Sequence, residues 1–155
     1  MSLTVESPTL LSDVKEFFDL FYECTIKPMG MPREAMFANW DLVHAGKKLV
    51  IKDKSTGRII ATGAVFLTNP EEAYISYVSV AESHRRKGIG RLLMEQLERI
   101  ALKKGALVCT LKARMEAVAF YKRLNYECIQ EKIYGHQGQN FTVCEMKKQL
   151  YNPKL

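Results

Sequence analysis

The sequence has no run of apolar residues approaching the ~18–20 needed to cross a bilayer, so no membrane-spanning helix is expected. Its N-terminus lacks the basic-then-apolar pattern of a secretory leader, and the expected location is the cytoplasm. There is no Cys-x-x-Cys pair. The four cysteines, Cys24, Cys109, Cys128 and Cys144, are scattered, so neither a disulfide framework nor a zinc site is expected. Cys109 and Cys144 fall in strand-like runs and read as buried reduced thiols. Internal repeats, low-complexity tracts and linkers are missing too, which leaves one domain over residues 1–155. No Ser/His/Asp, paired-carboxylate or metal-ligand constellation emerges, and no metal is expected.

What is there is a chain of 155 residues, enough for a substantial core, with a globular hydrophobic content of 47%. The net charge of +6 raises the question of nucleic acid. Basic charge attracts phosphate without specificity, and recognition also needs base contacts or stacking platforms. Lys and Arg are instead dispersed among acidic residues, apart from a turn at Arg85–Arg91 and the pair Lys147-Lys148. No nucleic-acid partner is expected, since a polyanionic small molecule accounts for the turn equally well.

The stretch from Tyr74 to Leu93 is the most informative. Tyr74-Ile75-Ser76-Tyr77-Val78-Ser79-Val80 is β-branched and aromatic, which predicts a strand. After Gly88 the spacing becomes helical: Ile89, Leu92, Leu93, Leu97, Ile100 and Ala101 share one face, opposite Arg91, Glu95, Glu98, Arg99 and Lys103. The turn between them carries Arg85, Arg86, Lys87, Gly88 and Gly90. A helix N-terminus presents amide N–H groups without intrahelical partners, and the macrodipole adds partial positive charge there. Glycines let a ligand approach those amides closely. Such a turn suits an anion, most of all a phosphate. A bare Gly-x-Gly would be read as a solvated turn, but here the pattern is longer.

Arg85-x-x-Gly88-x-Gly90 after a Val-rich strand resembles the acetyl-CoA signature of the Gcn5-related N-acetyltransferase (GNAT) family, Arg/Gln-x-x-Gly-x-Gly/Ala. Ala117-x-x-Phe120-Tyr121, followed by Leu124-Asn125-Tyr126, resembles that family's Ala-x-x-Phe-Tyr-x-x-x-Gly-Phe segment. The two motifs stand in the family's order, and with the elements between them they cover about two fifths of the chain, from Tyr74 to Ile133. Two positions depart from the pattern. Asn125 replaces the usual Gly, and Asn tolerates a left-handed backbone. Arg114 stands where many members carry Asn, three residues before Ala117.

The resemblance implies acetyl-CoA as co-substrate, with contacts from Val78, Ser79, Val80, Arg85, Arg86, Lys87, Gly88, Ile89, Gly90 and Arg91. It also implies that Tyr121 sits near the cofactor sulfur as general acid. The acceptor would be an amine-bearing molecule, small or macromolecular, with a homodimer left open as the assembly. The position aligned with a frequent family Glu is Ser76, a poor base. Glu71, Glu72, Tyr74, Tyr77, His84 and His136 are the alternatives, acting directly or through water. His44 sits near a predicted helix end, where a positive imidazole is favoured. A different class remains open: a catalytically silent acyl-CoA-binding module, serving as sensor or complex partner.

Around the motifs, Leu3-Thr4-Val5 reads as an edge strand. Ser12 or Asp13 is placed to cap a helix whose apolar face is Val14, Phe17, Phe18 and Phe21, with Glu16 completing a capping box from Asp13. A second helix is expected from Met31-Pro32 to Gly46, lined by Met36, Phe37, Trp40 and Val43. Lys48–Lys52 and Arg58–Leu67 read as strands joined by the turn Asp53–Gly57. Ala106–Leu111 reads as a strand buried on both faces, parallel to the central one through a right-handed crossover. A further helix carries Met115, Val118, Ala119 and Leu124. A strand from Tyr126, a polar loop Gly135–Asn140 and an antiparallel strand Phe141–Met146 end the reading. The predicted fold is α/β: a single mixed sheet of about six to seven strands flanked by about four helices, GNAT-like.

Overall fold

The computed structural model of the chain describes residues 1–37, 46–136 and 138–150, without the side chain of His136. Seven strands form one mixed sheet in the order β1-β2-β3-β4-β5-β7-β6. They are β1 (Leu3–Glu6), β2 (Lys47–Asp53), β3 (Arg58–Asn69), β4 (Glu72–Val80), β5 (Val108–Arg114), β6 (Glu127–His136) and β7 (Gln139–Gln149). Only β4 and β5 pair in parallel. Among the described residues there are three α-helices rather than about four: α1 (Leu11–Phe21), α2 (Ile89–Lys103) and α3 (Val118–Arg123). The expected second helix is represented by a 3-10 turn at Arg33–Phe37, and Trp40, Val43 and His44 lie outside the described residues.

The apolar stripe predicted after Gly88 is what fixes α2 to the sheet. Leu93, Leu97 and Ala101 are fully buried and pack with Ile51, Val65, Ile75 and Cys109. Gly63 on β3 allows the close approach, because a Cβ there would lie 2.7 Å from Leu97 Cδ1. The opposite face is closed by α1, whose Phe17 and Phe18 pack with Val50, Ala64 and Tyr77. Behind α2, Glu98 accepts hydrogen bonds from the Tyr126 hydroxyl at 2.8 Å and Lys148 Nζ at 2.7 Å, tying the helix to the start of β6 and to β7.

Four local expectations are corrected. The capping box at Asp13 does not form: α1 begins at Leu11 with no side-chain cap. Asp13 pairs instead with Lys52 Nζ, and Glu16 Oε1 accepts the Ile59 N–H at 3.0 Å. The β2–β3 register slips at that place, and a backbone donor left by a slip is a stronger claim on a carboxylate than a helix end open to water. β5 begins at Val108 and alternates buried and accessible positions rather than being buried on both faces: Cys109, Leu111 and Ala113 belong to the core, and Lys112 on the other face is exposed. The loop Gly135–Asn140 is a tight hairpin, with His136 paired to Gln139 and Gly138 at φ +81°. Cys144 is not a free thiol: it forms a disulfide with Cys128 on the neighbouring strand, with the two Cα atoms 5.8 Å apart. Cys109 is free and buried, as expected. Asn125 has φ 72°, the left-handed conformation that its place in the motif requires.

Candidate active site

The site is an opening in the sheet. β4 and β5 are paired only from Glu72–Tyr74 to Val108–Thr110. Past that point β4 stays with β3 as far as Val80, while β5 stays with β7 as far as Arg114. The two strands therefore diverge and leave a wedge. Along its β4 side, the backbone has no strand partner.

A bulge sharpens the wedge. Ser79 faces Thr62 and Ser76 faces Ala64, so Tyr77 and Val78 together oppose the single Gly63. Tyr77 takes φ 57° to allow it. The alternation of side chains is thereby reset: Ile75 packs under α2, but Tyr77 packs against Phe17 and Phe18 on the α1 face. The Tyr77 hydroxyl donates to the Met36 carbonyl, pinning the turn at Arg33–Phe37 over the wedge.

At the wide end lies the basic turn. Arg86 (φ 63°) and Gly88 (φ 77°) are both left-handed, and Gly88 precedes α2 without any side-chain cap. The first bond of the helix runs from the Leu92 N–H to the Gly88 carbonyl, so the amides of Ile89, Gly90 and Arg91 precede the helical ladder. The turn and the end of β4 line a cleft of about 840 Å³. Val78, Ser79, Val80, Arg85, Arg86, Gly88, Ile89, Gly90 and Arg91 all border it, and Lys87 does not. Several of these do more than face the cleft. Arg85 Nε donates to the Val80 carbonyl at 3.1 Å, Arg91 pairs with Glu95 at 3.2 Å, and the Ser79 hydroxyl is bonded to Thr62. Gly90 has a packing role: a Cβ there would stand 3.0 Å from Phe120 Cζ.

Tyr121 marks the inner end of this cleft. A second cavity, of about 290 Å³, fills the wedge between β4 and β5, and Tyr121, Arg114, Ala117, Val78 and Thr25 border both. The Tyr121 ring sits edge-on to Phe120 and to Tyr126, with centroids 5.0 and 5.8 Å apart. Its hydroxyl makes no hydrogen bond among the described residues. Burial pushes this phenol's pKa well above the usual tyrosine range, and Arg114 opposes that only partly. The group therefore keeps its proton at neutral pH, and in a proton transfer there it can serve as the acid rather than the base.

No carboxylate or imidazole lines the smaller cavity among the described residues. Ser76 does, with Tyr74 and Tyr77, whose phenols burial pushes up to about 12. Glu71 and Glu72 lie at the far end of β4, where Glu72 accepts from Asn69 at 3.1 Å. His84 borders the larger cleft and is held by Asp53 at 3.3 Å and Ser83 at 2.8 Å. The side chain of His136 lies outside the described residues. Sequence reasoning missed Lys112, Cys24, Thr25 and Met36 as wall residues. Cys24 Sγ contacts the Val80 carbonyl at 3.5 Å, and no local motif signals that approach.

A splayed mixed sheet with an amide-rich helix start beside the splay places an anion-binding helix terminus next to an open strand edge. The family model described as the acetyltransferase (GNAT) family matches residues 14–126, so the chain belongs to that family, whose acyl donor is acetyl-CoA. The uncharacterized N-acetyltransferase YjcF of Bacillus subtilis (strain 168) is 40% identical over 61 residues, which is 39% of this chain and 44% of YjcF. That match thus spans less than half of the relative. Among solved structures, an acetyltransferase of the GNAT family from Staphylococcus aureus Mu50 superposes with a TM-score of 0.78 at 11% identity, covering 97% of this chain and 100% of that one. A GNAT family acetyltransferase from Elizabethkingia anophelis with acetyl-CoA bound gives 0.72 at 15% identity, over 95% and 97% of the chains. At such identities the likeness is one of fold. No helix among the described residues is long and apolar enough to cross a membrane.

Proposed function

We propose that residues 1–155 act as one N-acetyltransferase domain that moves the acetyl group of acetyl-CoA to a primary amine by direct attack. The observation that carries the reading is the meeting of two cavities at Tyr121, one bordered by the anion-binding turn and the other by the β4–β5 wedge. The cofactor's phosphates lie at the amides of Ile89–Arg91, with Arg85 and Arg86 alongside. Its pantetheine arm would run along the edge of β4 that has no strand partner, at Val78 and at Val80, whose carbonyl Arg85 Nε holds in the free protein. The thioester then reaches Tyr121.

The amine nitrogen attacks the thioester carbon, a free N–H of β4 hydrogen-bonds the oxyanion, and the C–S bond breaks. Tyr121 donates to the departing thiolate, the nitrogen gives its surplus proton to water, since no base lines the wedge among the described residues, and water returns a proton to the Tyr121 phenolate. The test is thiol release from acetyl-CoA against a panel of amines, alongside calorimetric titration with coenzyme A. Tight cofactor binding without turnover on any amine would move the conclusion to a silent acyl-CoA-binding module.

A further inference from the structure

The wedge cavity carries charge of one sign. Lys112 and Arg114 stand two residues apart on the accessible face of β5, and both border it. Neither is fully neutralised. Lys112 Nζ lies 5.0 Å above the Tyr134 ring and has no ion pair among the described residues. Arg114 has only Glu116, 3.8 Å away and largely exposed. The cross-strand neighbour of Lys112, Glu145, is taken by Lys132 at 3.0 Å. Apart from the hydroxyls of Thr25 and Ser76, the other walls are mostly apolar or aromatic, among them Phe21, Met36, Phe66 and Tyr74.

From this, resting on the acetyltransferase reading, we propose that the acceptor is a small amine that also carries a carboxylate and an apolar or aromatic side chain, an amino-acid-type molecule held by Lys112 and Arg114. A guanidinium and an ammonium on one strand face suit a carboxylate, and Arg can take it with two parallel hydrogen bonds. An acceptor that is only cationic, such as a polyamine, an aminoglycoside or a lysine in a basic peptide, would meet like charge on the cavity wall, with the nearby carboxylates Glu116 and Glu145 already paired to Arg114 and Lys132. The same two cations disfavour the ammonium form of the acceptor's nitrogen, which supplies a reactive amine where the wall offers no base. The volume of about 290 Å³ matches the small end of ligand sites. In the reaction the amino nitrogen forms the new C–N bond, the C–S bond breaks, one proton leaves nitrogen and one is gained by sulfur. An N-acetylamino acid and coenzyme A are released.

Thiol release from acetyl-CoA is measured with L-phenylalanine, L-leucine and L-methionine, and with 2-phenylethylamine, L-phenylalaninamide and spermidine as carboxylate-free probes. The expected result is a kcat/KM at least tenfold higher for the best amino acid than for any carboxylate-free amine. That ratio should collapse towards one in Lys112→Gln and Arg114→Gln, while Lys112→Gln keeps the parent affinity for coenzyme A. Preference for spermidine or 2-phenylethylamine, or a ratio that survives both substitutions, overturns the inference. A second measurement needs no turnover: calorimetric binding of the N-acetyl derivatives of the three amino acids, against N-acetyl-2-phenylethylamine, to the coenzyme A-bound protein. Binding of an N-acetylamino acid with no turnover of any amine refutes acetyl transfer but keeps the carboxylate site. No preference for any N-acetylamino acid over N-acetyl-2-phenylethylamine refutes the carboxylate site, whether or not amines turn over.

Discussion

Replacing Tyr121 by Phe separates the chemistry of the site from its packing. The ring fills the space between Phe120 and Tyr126, and truncation to Ala would forfeit roughly 3–5 kcal/mol of stability. Phe keeps that ring. The lost hydroxyl has no partner among the described residues, so no orphaned donor or acceptor is left behind, and stability should change by less than about 1 kcal/mol. The catalytic cost can be bounded. General acids contribute ~10²–10⁴-fold and work best with a pKa near the working pH. Burial drives this phenol upward, away from that optimum, which argues for the lower end. A hydrogen bond to a charged group is worth ~1.5–3 kcal/mol, again about tenfold to somewhat over 10²-fold. The expected result is therefore a kcat lower by about 10²-fold, with the acetyl-CoA dissociation constant changed only a few-fold. Steady-state thiol release with the best amine of the panel, together with calorimetry and thermal unfolding of the same variant, reads all three quantities. Full turnover in folded Tyr121→Phe would refute proton donation by the phenol and leave water to protonate the thiolate.

Gly88→Val should weaken coenzyme A binding at least tenfold, about 1.4 kcal/mol, by strain rather than collision, because the residue has φ 77° and its Cβ would meet nothing within 4 Å. Unchanged affinity in the folded variant would place the phosphates elsewhere. Coenzyme A affinity should fall as ionic strength rises if Arg85 and Arg86 reach the phosphates, and salt-independent titrations would leave recognition to backbone amides alone. Leu97→Ala should cost ~2–5 kcal/mol in urea unfolding. Gly63→Ala, whose new methyl would meet Leu97 Cδ1, should cost ~1–3 kcal/mol alone and far less in the Leu97→Ala background; strict additivity would show that the two do not touch. Hydrogen bonds from Ser55, and then His84, hold the Asp53 carboxyl below the usual carboxylate range. Its stabilising effect is thus present above that range and disappears as pH falls through the depressed value, a loss that should be absent from acid unfolding of Asp53→Asn.

Local pattern was enough for much of this protein. A β-branched run followed by helical spacing made β4, the turn and α2 legible, because period two and period 3.6 are properties of neighbouring residues. Arg85, Gly88, Ala117 and Tyr121 stood out as candidate site residues through the family resemblance of their two motifs, and the left-handed backbone at Asn125 was legible because few residues accept that conformation. What stayed hidden depends on strand register, a relation between distant segments that no window of sequence contains. The bulge that sends Tyr77 to the α1 face exists because two residues of β4 oppose Gly63. Glu16 left its expected helix cap for the Ile59 amide beside a register slip, and Cys128 met Cys144 because β6 and β7 pair side by side. Lys112 belongs to no motif, and it borders the wedge because β5 parts from β4 beyond Thr110. The residue types and motifs set which chemistry this chain can perform; the pairing of its strands decided which side chains stand around it.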